Sequence, residues 1–141
     1  MKDFLEKEGH EVTLPYSLMD HGKIEKKFAK MSSELESTEF LVKAKKEIKK
    51  EGGLLQTDVR GVLDANVILA YIPKEARIYG TSGEITVAYF LKQFIHENKD
   101  ILVITNFENH DFPLWILGCS DHVFDSFEDC KQYIRKTYKG K

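Results

Sequence analysis

Two segments of the chain are apolar at successive positions, "NVILAYIP" from Asn66 to Pro73 and "DILVITNF" from Asp100 to Phe107. A strand that is apolar on both faces belongs in a parallel sheet covered by helices on either side. Both segments are therefore predicted as core strands. Between them the period changes: "YGTSGEITVAYFL" predicts a loop that feeds a helix from about Ser82 to His96. At helical spacing Glu84, Val87, Ala88, Leu91 and Ile95 share one face of that helix. Downstream, "DFPLWILGCSDHVFDS" predicts a short helix, Gly118 and a brief strand at "HVF". The last stretch, "SFEDCKQYIRKTYKGK", predicts an amphipathic helix with Phe127, Cys130 and Ile134 on one side.

The upstream half is more charged. "DFLEKEG" reads as the end of a helix stopped at Gly9, and "HEVTLPYS" as a short strand with Val12 and Leu14 alternating, closed by Pro15. From Lys23 to about Lys50 the pattern is helical, broken near "MSSELES", with Ser33 or Ser37 as a cap for a second helix. "TDVRGVLDA" predicts a short helix opened by Thr57 as N-cap. Helices alternating with doubly apolar strands give an α/β fold: three layers around a flavodoxin- or Rossmann-like parallel sheet. One domain over residues 1–141 is expected, with no repeat and no low-complexity linker. Such a sheet normally opens on a strand, whereas this chain opens on the back half of a helix, so a first strand is missing from the pattern.

Composition narrows the classes. Hydrophobic residues at 42% and charged residues at 31% suit a globular chain, and the net charge of -2 gives no global pull toward nucleic acid or an anionic membrane. No apolar run reaches the length of a membrane span, and "KDFLEKEGHE" after Met1 is no secretory leader, so the cytoplasm is expected. Cys119 and Cys130 form no CxxC and read as two reduced thiols. The five histidines lack ligand spacing, so no metal is expected, and no phosphate-binding GxxxxGK[ST] loop is present. "KAKKEIKKEGG" is interrupted by Glu47 and Glu51 and reads as a solvated helix face.

Two acids stand out. Glu84 begins the apolar stripe of its helix, at the end that meets the carboxyl edge of the sheet, where ligands bind in doubly wound folds. Partial burial raises a carboxylate's pKa while a helix N-terminus lowers it. An ionised, poorly hydrated carboxylate there makes a nucleophile or base. Its structural alternative is a first-turn acid in a capping arrangement with Thr81 or Ser82. Asp58 lies just inside the helix before the first core strand. It is either a second carboxylate of the same cleft or a helix N-terminal acid beside Thr57.

Taken in order, "DVRGVLDANVILAYIP", "GTSGEITVAYFL", "DILVIT" and "FPLWILGCSDHVF" resemble the nucleoside 2-deoxyribosyltransferase family, with its relatives that hydrolyse deoxynucleoside monophosphates. The resemblance spans roughly Thr57 to Phe124, about half the chain. It implies that Glu84 is the nucleophile and that Asp58 handles the proton of the nucleobase. Gly80, Thr81, Ser82 and Gly83 would then line the sugar or a phosphate. It implies deoxyribosyl transfer from a 2'-deoxynucleoside to a free nucleobase through a glycosyl-Glu intermediate, or hydrolysis of a deoxynucleoside 5'-monophosphate. It also implies no cofactor, and homo-oligomers. The family's opening strand and its aromatic loop have no counterpart here. Where the family carries an acid before the glycine loop this chain has "ARIYG", and "PLWIL" offers Trp115 where the family offers a polar residue. A nucleotide-binding or regulatory module with a degenerate site is the second class of reading, and an α/β scaffold acting through oligomer contacts the third.

Overall fold

The computed structural model describes residues 1–14, 21–50, 53–75, 79–107 and 111–139. In chain order the elements are α1 (Lys2–Lys7), α2 (His21–Glu34), α3 (Ser37–Lys49), α4 (Leu54–Asp64), β1 (Val67–Ile72), α5 (Tyr79–Phe94), β2 (Asp100–Thr105), α6 (Leu114–Cys119), β3 (His122–Phe124) and α7 (Phe127–Thr137). They form two compact units, Met1–Val12 with Val62–Lys141, and Thr13–Gly61.

The first unit is built on a three-stranded sheet of order β1-β2-β3, parallel throughout. β1 and β2 pair from Val67 with Asp100 to Ile72 with Thr105, and β2 meets β3 from Leu102 with His122 to Ile104 with Phe124. Parallel neighbours need a crossover, and α5 and α6 supply the two connections.

Successive strand side chains point to opposite faces, so β1 and β2 each feed two cores. Ile68, Ala70, Ile72, Ile101 and Val103 face Ile85, Ala88 and Leu91 of α5, Ile116 and Cys119 of α6, and Val62 of α4. Val67, Leu69, Leu102, Ile104 and Phe124 face Cys130, Ile134 and Tyr133 of α7, together with Met1, Phe4 and Leu5. Helix, sheet, helix is the three-layer α/β arrangement that the doubly apolar strands imply. Helix α7 is started by Ser126, whose hydroxyl accepts the Asp129 N–H at 3.1 Å. It buries Cys130 and Ile134 and leaves Phe127 partly exposed.

In the second unit α2 and α3 pack together, with the break at Leu35 and Glu36. Ile24, Phe28, Met31 and Leu35 recur at helical spacing and are half-buried. Neither expected cap forms: Glu36 takes the N-cap position of α3, and the Ser33 hydroxyl donates to Lys30 O inside α2.

Two upstream expectations are corrected. Residues 10–14 carry no strand, since two alternating apolar residues gain a ladder only beside a partner strand; the Pro15 stop lies outside the described residues. Thr57 is not an N-cap. Helix α4 begins three residues earlier at Leu54, and the Thr57 hydroxyl donates to Gly53 O one turn back at 3.0 Å. Gly9, by contrast, does close α1, with a φ of 86° that glycine adopts without strain.

Both thiols are buried, and burial pushes that of Cys130 up to about 11. A thiol must ionise to attack, so Ellman's reagent at pH 8 is expected to titrate neither cysteine in the native protein and both in denaturant. The folded pKa lies above the ordinary value of 9.0, so the thiol's contribution to stability is complete below about pH 9 and lost as pH rises toward 11. The thermal midpoint is expected to fall across that window, and less steeply in Cys130→Ala.

Candidate functional site

The stretch from Tyr79 is helical from its first residue, so Gly80, Thr81, Ser82 and Gly83 belong to α5 and not to a loop. This corrects the expected loop. Neither glycine has a positive φ, and a Cβ built at either position meets nothing within 4 Å. The backbone there is ordinary helix that any residue could adopt. Two glycines and two hydroxyl residues read locally as a loop, but burial of Ile85 and Ala88 against the sheet outweighs a helix penalty of roughly 1 kcal/mol per glycine. The Thr86 hydroxyl joins the ladder by donating to Ser82 O at 2.7 Å.

Glu84 stands in the second turn, four residues before Ala88 and seven before Leu91, both buried. It therefore lies on the sheet-facing side of α5 and is itself half-buried, as are Thr81 and Ser82. The stripe is rotated slightly from the expected one. Ile85 is fully buried while Val87 is half-buried, and Ile95 emerges because α5 ends at Phe94, closed by His96 at a φ of 60°. Because the helix starts at Tyr79, Glu84 is also a turn beyond the free N–H groups where the helix dipole acts most strongly.

The carboxyl edge of the sheet, where α5 begins, is held by short-range polar contacts. Thr105 is buried; its hydroxyl donates to Ile72 O at 2.9 Å and accepts the Phe107 N–H at 3.1 Å, tying the ends of β1 and β2. Asn106 Oδ1 accepts the Lys74 N–H at 2.9 Å, and Lys74 Nζ lies 3.6 Å from Asp111. Phe107 and Phe112 meet edge to face. Trp115 Nε1 donates to the Thr86 hydroxyl at 2.8 Å, fastening α6 to α5 half a turn beyond Glu84. Residues 76–78 and 108–110 lie outside the described residues.

Asp58 is in the second turn of α4 and half-buried. It belongs to the unit Thr13–Gly61, whereas Glu84, Thr81, Ser82, Gly80 and Gly83 belong to the other unit.

The amino edge carries a network that the sequence reading missed. Lys92 Nζ donates to Asp121 at 2.6 Å and lies 3.4 Å from Asp100, and the Tyr138 hydroxyl donates to Asp100 at 2.7 Å. The second oxygen of Asp121 accepts the Ile101 N–H at 2.8 Å. Burial alone would lower the Lys92 pKa, but Asp121 and then Asp100 outweigh it and hold the ammonium above the ordinary range. Burial, reinforced by the Asp100 carboxylate, pushes the Tyr138 phenol up. Lys99, buried, donates to Leu63 O and Ala65 O at 2.7 Å each and pairs with Glu97 at 3.1 Å. Every named polar group here is partnered inside the fold. Asp121, legible in "GCSDHVF", thus braces the sheet at the end opposite to Glu84.

Beside α2 and α3, Lys27 and Lys50 both donate to Glu47 and hold its carboxyl at about 2. Among the described residues no three His, Cys, Asp or Glu side chains gather as a metal site, and no helix is long and apolar enough to cross a membrane. Compared with protein-family models, with curated proteins and with solved structures, the chain matches none.

Helical glycine and loop glycine differ in their response to one methyl group. Gly83→Ala is expected to stabilise the protein by about 0.5–1 kcal/mol, raising the thermal midpoint by a few degrees. A fall in the midpoint would mean that the backbone at residue 83 is not helical.

Proposed function

We propose that this chain is an N-glycosidic enzyme acting on 2'-deoxynucleosides, with Glu84 as its nucleophile. One observation carries the reading. Glu84 is the sole acid among the sixteen residues of α5, and it sits half-buried on the sheet-facing side near the carboxyl edge of a parallel sheet. That edge is where open α/β sheets bind ligands, and a polar frame of Thr105, Asn106 and Lys74 lies along it. A half-buried carboxylate there loses part of its hydration, which favours attack on carbon.

In the reaction proposed, a Glu84 oxygen forms a bond to C1' as the bond from C1' to the base nitrogen breaks. The electron pair of that bond stays on the nitrogen, which takes a proton from a general acid, the role the resemblance gives to Asp58. The glycosyl ester is then opened at C1' by the nitrogen of a second base, whose proton returns to the acid, and Glu84 leaves as carboxylate. Two displacements give net retention. Water in place of the second base gives hydrolysis, the reaction of a deoxynucleoside monophosphate N-glycosidase. Thr81, about one turn before Glu84, and Ser82, half a turn before it, offer hydroxyls to the sugar or to a 5'-phosphate. No cofactor enters these steps, and the reading is one of cytoplasmic nucleotide metabolism.

A second reading, a nucleotide-binding module without turnover, is favoured by one specific observation. Gly80 and Gly83 lie within a regular helix and do not form the open loop that would let the backbone approach a sugar.

The test is incubation with a 2'-deoxynucleoside and a different free base, and separately in water, followed by chromatography. New nucleoside is expected from the wild type, with Glu84→Ala reduced on the order of a thousandfold or more and Asp58→Asn about a hundredfold or more. Free base without exchange would select hydrolysis. A wild type as inert as Glu84→Ala, yet still binding deoxynucleoside in calorimetry, would select the binding module.

A further inference from the structure

The net charge of -2 hides an uneven distribution. Residues 21–50 carry nine lysines against five glutamates, a net +4 in this part of the chain. In sequence the lysines of α3 are interrupted by acids, but the fold separates the two. Phe40, Ala44, Glu47 and Ile48, at helical spacing, form the packed side of α3, with Ala44 buried and the others half-buried. Glu47 is held on that side by Lys27 of α2 and by Lys50. The other acid of the helix, Glu39, lies 3.5 Å from Lys43.

What remains is an outer face without an acid. Thr38, Leu41, Val42, Lys45, Lys46 and Lys49 recur at intervals of three and four and are all exposed, Leu41 and Val42 at 64% each. Among the described residues Lys45, Lys46 and Lys49 have no ion pair. The helix dipole favours Lys46 and Lys49, which stand in the last turn. It gives no reason for Lys45, whose charge is repelled by that of Lys49 four residues on, nor for two aliphatic side chains in water beside them. Next to this face a cavity of about 350 Å³ opens between α2 and α3, with Met31 and Leu35 in its lining and Lys43 and Lys46 among its cations. Its carboxylates, Glu34 and Glu47, each have a lysine partner.

From this we infer that the outer face of α3 docks on the surface of a bilayer that contains anionic phospholipid. Charge and hydrocarbon together decide the partner. Lysine has a four-carbon stem, so its ammonium reaches a headgroup while Leu41 and Val42 enter the boundary below, to a depth of roughly 5–10 Å. The apolar lining between α2 and α3 gives part of an acyl chain a place beside the same cations. Nucleic acid would use the lysines alone. The face has no arginine fork for phosphate and no aromatic platform for a base, and its aliphatic residues would stay in water. An acidic peptide would have to match Leu41 and Val42 in one register, whereas a bilayer offers anions and hydrocarbon at every position. The inference stands apart from the catalytic reading, since neither Glu84 nor Asp58 is used in it.

The experiment is co-sedimentation of the full chain with vesicles of phosphatidylcholine alone and of phosphatidylcholine with about one-third phosphatidylserine, at low and at high salt. Binding is expected only to the anionic vesicles, and it should fall as salt screens the surface. Each lysine is expected to contribute about fivefold in partition, so Lys45→Gln, Lys46→Gln and Lys49→Gln together should lower it about a hundredfold. Lys2→Gln, Lys7→Gln and Lys136→Gln together remove the same charge elsewhere and should leave binding unchanged. The first triple variant should keep the far-ultraviolet circular dichroism spectrum of the wild type. Equal losses in the two triple variants overturn the inference, because net charge and not this face would then govern binding. Wild type that stays in solution with both vesicles also overturns it, a result that needs no variant to fold. So does retention by duplex DNA or by polyglutamate at the same salt without retention by vesicles, which assigns the face to that polyanion.

Discussion

The structure of the first unit depends on one strand having no exposed face. Ile101, Leu102, Val103 and Ile104 of β2 are each at most 2% exposed, and they alternate between the two cores. Burying four such side chains contributes roughly 2 kcal/mol each, on the order of 8 kcal/mol, the scale of a whole domain's net stability. No other element serves both layers so completely. β1 stands at an edge with Tyr71 partly exposed, and β3 is three residues long. The helices on each face are therefore positioned by β2, and with them the side chains they carry.

The two ends of this sheet are used differently. At the amino edge Lys92, Asp100, Asp121 and Tyr138 satisfy one another, and the Asp121 carboxylate takes up the Ile101 backbone N–H. That arrangement consumes its polar groups in holding β2, α5 and α7 together. At the carboxyl edge the contacts of Thr105 and Asn106 fix the strand ends, and Glu84 sits close to the sheet on the first half of α5. Helix α5 presents a half-buried acid on its inner side and the exposed rings of Phe90 and Phe94 on its outer side.

The parts legible in the sequence were those fixed by local pattern. Consecutive apolar residues placed β1 and β2 to within a residue or two, and the amphipathic spacing of Cys130 and Ile134 marked α7. Glu84 was legible as an inward-side acid because Ala88 and Leu91 follow it at helical spacing. The beginning of α5 was not. Glycine and hydroxyl residues at positions 80–83 prefer loops locally, and only the packing of Ile85 and Ala88 on the sheet makes them helix. The same applies to Thr57, a good cap by type but drawn inside α4 by an earlier start at Leu54. The amino-edge network joins residues 92, 100, 121 and 138, and no periodicity links positions so far apart. The lysines of α3 were in plain view in the sequence, yet their acid-free face became legible only once Glu47 was seen to turn toward α2.

In the proposed reaction Glu84 forms a bond to a sugar carbon. Mass spectrometry of the acid-quenched protein after brief exposure to a 2'-deoxynucleoside tests it most directly. The expected result is a fraction of the protein heavier by one deoxyribosyl group, located by peptide mapping to Glu84 and absent from Glu84→Gln. An adduct on another residue, or none while turnover proceeds, would contradict the account.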